Sequence, residues 1–109
     1  MAGSDQNGGN YVAAEPTVII YSLTTCTWCA KAKDFFRQRG IFPYVIEFEM
    51  AGLELKRKMA AEMRQVGANG FPFVKIGGYA VSGYDPERYE KLLTRARSDL
   101  RDRSSARAA

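Results

Sequence analysis

T-V-I-I-Y-S-L-T-T-C-T-W-C-A-K-A-K-D-F-F-R-Q-R, residues 17–39, decides how the chain is read. Its first seven residues are β-branched and aromatic, the composition of a short buried strand. The period then changes. Cys29, Ala32, Phe35 and Phe36 fall on one face of a helix, with Lys31, Lys33, Arg37 and Gln38 elsewhere. Thr24 or Thr25 is placed to cap this helix. It is expected to run to about Arg39, with Gly40 as its C′ residue. Cys26 and Cys29 therefore stand where a strand passes into a helix, Cys26 in the first turn and Cys29 one turn further in. Free backbone N–H groups and the helix dipole favour negative charge at such a place, and the thiolate is the nucleophilic form of cysteine. Both sulfurs face one side and can close a short disulfide. The exposed tip assigns Cys26 to attack a substrate disulfide, and the inward position assigns Cys29 to resolve the mixed disulfide that results.

Three other readings of the pair compete with this one. A structural disulfide closing so short a loop stabilises little. A zinc site needs about four ligands, and the chain has no histidine. Two inert buried thiols are the remaining option. C-x-x-C between a strand and a helix reads as redox-active.

The rest of the chain completes an α/β pattern. Residues 44–48 read as a second strand. Residues 53–66 read as a helix with Leu55, Met59 and Met63 spaced by four. Residues 73–76 and 79–82 flank Gly77-Gly78, a two-residue hairpin turn. Asp85 before Pro86 is an N-cap followed by proline at the first helical position, and the last helix runs from Pro86 into the nineties. The order β-α-β-α-β-β-α predicts a four-stranded mixed sheet: the first two strands parallel with a right-handed crossover, the last two antiparallel, and helices on both faces. Residues 1–16 are polar and Gly-rich and are expected to be disordered. Residues 17–97 form the domain, and residues 98–109 a basic, flexible tail.

Composition excludes several classes. A chain of 109 residues makes one domain. No apolar run approaches the roughly 18 residues of a membrane span. The first ten residues carry neither the basic nor the apolar region of a secretory signal, so a reducing, cytoplasmic setting is expected. Of the net charge of +4, the stretch 95–109 supplies +3, from five arginines and two aspartates. The body thus has no basic stripe of the kind nucleic-acid binders show.

A second motif lies at residues 70–74, G-F-P-F-V. Proline lacks the N–H a central strand needs, so Pro72 belongs at a strand's first residue. A cis Phe71–Pro72 bond turns the Phe71 backbone toward the cysteines, where its N–H and C=O can pair with an extended substrate.

Together, Y-S-L-T-T-C-T-W-C-A-K-A-K (21–33), G-F-P-F-V (70–74) and G-Y-A-V-S-G-Y-D (78–85) resemble a dithiol glutaredoxin of the thioredoxin superfamily, over residues 17–93. The resemblance implies a thioredoxin-like fold and a glutathione-dependent thiol–disulfide oxidoreductase. Cys26 is then the nucleophile, Cys29 the resolver and Pro72 cis. The implied glutathione groove uses Thr27 and Trp28 beside the attacked sulfur, Phe71 and Pro72 along the tripeptide backbone, and Gly83, Tyr84 and Asp85 at the helix start that receives the γ-glutamyl carboxylate. Glutathione serves as co-substrate and no metal is expected. The partners are disulfide-containing or glutathionylated proteins, met by a monomer without membrane or nucleic acid.

The sequence departs from both related patterns. Leu23 stands where glutaredoxins commonly place a basic residue, Phe71 where valine precedes the proline, and Pro86 where a second acid follows. Thioredoxin fits less well: Thr25 precedes Cys26, Thr27-Trp28 separates the cysteines, and Ile20 replaces a buried acid. The alternatives are an electron donor reduced by thioredoxin reductase, a dimer holding an iron–sulfur cluster through Cys26 and glutathione, and a binding module with incidental cysteines.

Overall fold

The computed structural model describes residues 15–108; residues 1–14, the bulk of the segment expected to be disordered, lie outside them. The chain forms β1 (Val18–Ser22), α1 (Thr27–Arg37), β2 (Tyr44–Glu47), a 3-10 turn (Phe48–Met50), α2 (Leu53–Gln65), β3 (Phe73–Ile76), β4 (Tyr79–Ser82) and α3 (Pro86–Ala108). The four strands make one sheet in the order β2-β1-β3-β4. β1 runs parallel to β2, with Ser22 opposite Glu47, and antiparallel to β3, with Tyr21 opposite Phe73. β3 and β4 form the hairpin, with Phe73 opposite Ser82.

Alternation along the strands sorts the core into two layers, because successive side chains point to opposite faces. Val18 and Ile20 join Val74, Ile76 and Val81 on one face, beneath Ala32, Phe35 and Phe36 of α1 and Tyr89, Leu92, Leu93 and Ala96 of α3. Tyr21 and Phe73 occupy the other face, beneath Met59 and Met63 of α2. Burial of each large apolar side chain contributes about 1.5–3 kcal/mol, so the helix faces fix which side of the sheet each helix covers. Helices therefore cover both faces, as the element order implied.

Several boundaries differ from the sequence reading. α1 ends at Arg37, and a turn through Gly40, at φ 75°, breaks away from it. β2 stops at Glu47 because Phe48 enters the 3-10 turn. Leu55 is exposed; Met59 and Met63 alone carry the buried stripe of α2. α3 continues to Ala108, well past the nineties. Among the residues whose side chains are described its buried positions stop at Ala96, and the stretch beyond is rich in arginine, a good helix former. No helix among the described residues is long and apolar enough to cross a membrane.

Candidate active site

The topology brings the sequence motifs to one end of the sheet. β1 ends there and α1 starts there. β3 begins beside the end of β1 because the two are antiparallel, and β4 returns to the same end. Gly83, just past β4, donates its N–H to the Pro72 carbonyl at 2.7 Å, closing the two loops on each other. Gly83 adopts φ 89°, a conformation glycine takes without a Cβ penalty.

Cys26 itself caps α1, which corrects the expectation of a threonine cap. It sits in extended conformation, at φ −125° and ψ 112°, and its Sγ accepts the Cys29 N–H at 3.2 Å. Thr24 is diverted. Thr24 donates both its N–H and its Oγ1–H to the Glu49 carboxylate, each at 2.9 Å. The nucleophile candidate thus occupies the position where a helix start offers an N–H to a negative group.

The two thiols are free and unequally accessible. Cys26 is partly exposed; Cys29 is 0% exposed. Burial pushes the Cys29 thiol above its ordinary value, with the Cys26 sulfur adding to the rise. Hydrogen bonding from the Leu23 backbone and the Ser22 hydroxyl opposes it. Tyr89 packs into the same layer and donates its O–H to the Gly83 carbonyl at 2.6 Å. Its burial pushes the phenol far above the usual range, so it stays neutral.

Around this pair stand the other residues singled out by sequence. Trp28 is 56% exposed and stacks on Tyr84, with centroids 5.8 Å apart and planes 26° from parallel. It packs on the loop before α3 and so forms an apolar wall from the start of α1 to Tyr84. Lys31 lies 5.3 Å over the same ring. Thr27 is exposed in the first turn of α1. The Phe71–Pro72 bond is cis. Pro72 is buried, and Phe71 is half-buried against Phe48, at 5.3 Å between centroids. Asp85 is exposed and caps α3, its Oδ1 accepting the Arg88 N–H at 3.2 Å.

The structure adds two carboxylates the sequence reading missed. Glu49 ties the 3-10 turn to the loop before Cys26, and the Thr24 backbone N–H leads the contacts that hold its carboxyl below the usual value. Glu47 ends β2 beside Ser22 and pairs with Lys33 of α1 at 3.1 Å. Neither carried a local motif; both reach the site only through strand pairing. Among the described residues no three Cys, Asp or Glu side chains gather as a metal-binding group.

Comparison with known proteins gives the same reading. The family model described as Glutaredoxin matches residues 18–81. Glutaredoxin-C5, chloroplastic, of Arabidopsis thaliana is 32% identical over 69 residues, which cover 63% of this chain and 40% of that relative. The chain thus spans under half of that relative's length. The glutaredoxin of Methanosarcina mazei Go1 superposes with a TM-score of 0.62 at 26% identity, covering 70% of this chain and 77% of that one. The glutaredoxin-like NrdH-redoxin of Escherichia coli shares the fold, with a TM-score of 0.57 at 24% identity over 70% of this chain and 93% of that one. With a strand, a cysteine-capped helix and a proline loop in this order and geometry, and a family model matching over most of the domain, the chain belongs to the glutaredoxin family, a class of thiol–disulfide oxidoreductases.

Proposed function

We propose that the protein is a glutathione-dependent thiol–disulfide oxidoreductase that reduces protein–glutathione mixed disulfides and protein disulfides, with Cys26 as nucleophile. The observation that carries the reading is the asymmetry of the pair: Cys26 caps the helix and meets solvent, while Cys29 is buried one turn behind it.

The chemistry follows in two routes. In the first, the Cys26 thiolate attacks the glutathione sulfur of a mixed disulfide. A bond from Cys26 to glutathione forms, and the protein thiolate leaves. A second glutathione thiolate then attacks that glutathione sulfur, releasing glutathione disulfide and regenerating Cys26. In the second route Cys26 attacks a protein disulfide, and Cys29 displaces the protein from Cys26, leaving the Cys26–Cys29 disulfide for glutathione to reduce. The Trp28–Tyr84 wall, the Phe71 backbone and the capped start of α3 form the groove for the glutathionyl group. A reducing compartment such as the cytoplasm suits this cycle.

Thioredoxin reductase as electron source is the second reading, and one feature favours it. The groove lacks a cation at Leu23, and the nearby Glu49 carboxylate adds negative charge beside the loop before Cys26. Glutathione is an anion and is held less firmly there. Turnover of a glutathionylated peptide separates the two readings. It is measured with glutathione plus its reductase, and separately with thioredoxin reductase alone. Turnover with glutathione is expected; turnover with thioredoxin reductase alone overturns the glutathione reading.

A further inference from the structure

The nucleophile stands at a helix start that the local sequence leaves free to slide. Residues 24–27 read T-T-C-T, without a proline to fix the first helical position. Cys26 is the cap, yet threonine is the better capping residue, and two threonines directly precede it. A cap one residue earlier alters what the sulfur meets. With Cys26 as cap, Cys29 is the third helical residue. Its N–H then has no carbonyl within the helix and goes to Cys26 Sγ at 3.2 Å. The first bond of the helix runs from the Ala30 N–H to the Cys26 carbonyl at 3.1 Å. With Thr25 as cap, Cys29 is the fourth helical residue. Its N–H turns to the Thr25 carbonyl, and Cys26 Sγ loses its donor.

The contact between Thr24 and Glu49 is placed to decide between the two starts. Both Thr24 donors, the N–H and the Oγ1–H, end on the Glu49 carboxylate at 2.9 Å, one on each oxygen. The Thr24 N–H leads the contacts that hold this carboxyl below its ordinary value, and Lys56 adds to them, so the clamp is ionised at neutral pH. Thr24 and Thr25 are held in a turn, and the chain enters the helix only after Cys26. The clamp is exposed and contributes modestly to stability. Adjacent caps also differ by little, so a modest bias is enough to choose between them. The Glu49 charge acts on the thiol with the opposite sign, because a nearby negative charge disfavours a thiolate.

We propose that Glu49 is a positioning residue for the nucleophile: by holding Thr24 it keeps α1 starting at Cys26, so that the Cys29 N–H stays on the attacking sulfur. This rests on the assignment of Cys26 as nucleophile above. Glu49 acts through Thr24, and the N–H it preserves for the thiolate outweighs its own charge.

Two substitutions at one position separate the clamp from the charge. Glu49→Gln removes the charge and keeps both contacts: its Oε1 accepts the Thr24 N–H, and its Nε2 donates to Thr24 Oγ1. Glu49→Ala removes the charge and the clamp together. The readout is the rate at which iodoacetamide modifies Cys26 in the reduced protein, followed by peptide mass as a function of pH. Glu49→Ala should react about three- to tenfold more slowly than the wild type at pH 7. The deficit should close at high pH, where the thiolate forms without help from the N–H. Glu49→Gln should keep at least the wild-type rate, because the opposing charge is gone and the clamp is not. Thermal unfolding checks that both variants keep the fold. The proposal is overturned if Glu49→Ala is slowed by less than about twofold at pH 7, if it is slowed by one factor at every pH, or if Glu49→Gln is slowed as far as Glu49→Ala. Faster modification of Cys29 than of Cys26 in the wild type overturns the nucleophile assignment itself, and this inference with it.

Discussion

Cys26 and Cys29 share one helical turn and differ in access. That difference was legible in the sequence, because a residue at a helix tip and one three positions later on the apolar face have different fates in any strand-to-helix junction. The cap was not legible. Threonine is the better capping residue by propensity, but Glu49, distant in sequence, takes Thr24 and leaves the cap to the cysteine sulfur. Iodoacetamide on the reduced protein should modify Cys26 and leave Cys29 largely intact, as read by peptide mass; faster modification of Cys29 contradicts the role assignment. Tyr89→Phe removes the O–H bonded to Gly83 and strands that carbonyl in the loop beside Pro72. The loss should be about 1–2 kcal/mol by urea unfolding; no change means the loop is held without it.

Elements were read best where turn chemistry and periodicity agreed. β3 and β4 fall where Gly77-Gly78 places them. α3 runs past the expected nineties: among the described residues its buried stripe ends at Ala96, while the helix continues to Ala108. What holds α2 to the sheet was also hidden. Tyr21 donates to Glu62 at 2.6 Å, and Lys75 donates to both, at 2.8 and 2.7 Å, a brace joining three elements far apart in sequence. Burial alone raises the Glu62 carboxyl, but hydrogen bonds from Lys75 and Tyr21 outweigh it and hold it below its ordinary 4.5. A depressed carboxyl contributes stability that is present above the unfolded value and lost as pH falls through the folded one. The wild type should therefore lose stability below about pH 4.5 more steeply than Glu62→Gln. Equal acid slopes in urea unfolding contradict the brace. Phe36→Ala, which empties a fully buried site between α1 and the sheet, should cost about 3–5 kcal/mol.

At the scale of the molecule, one end of the sheet collects both cysteines, the Pro72 loop and the start of α3. The order of the three motifs made this end legible, since the positions of C-x-x-C, x-Pro and G-Y-D fix which strand ends must meet. Glu47 and Glu49 escaped because they enter from β2 and the turn after it, and only the parallel pairing of β1 with β2 carries them in. The central claim is that Cys26 alone exchanges glutathione while Cys29 serves protein disulfides. The most direct measurement is the activity of Cys29→Ser on a glutathionylated peptide and on a protein disulfide, each with glutathione and its reductase. Removal of glutathione needs one attack by Cys26 and release by a second glutathione, so Cys29→Ser should keep it. Reduction of the protein disulfide should fall sharply, because nothing displaces the protein from Cys26. Loss of both activities in Cys29→Ser, with wild-type turnover from thioredoxin reductase alone, contradicts the account.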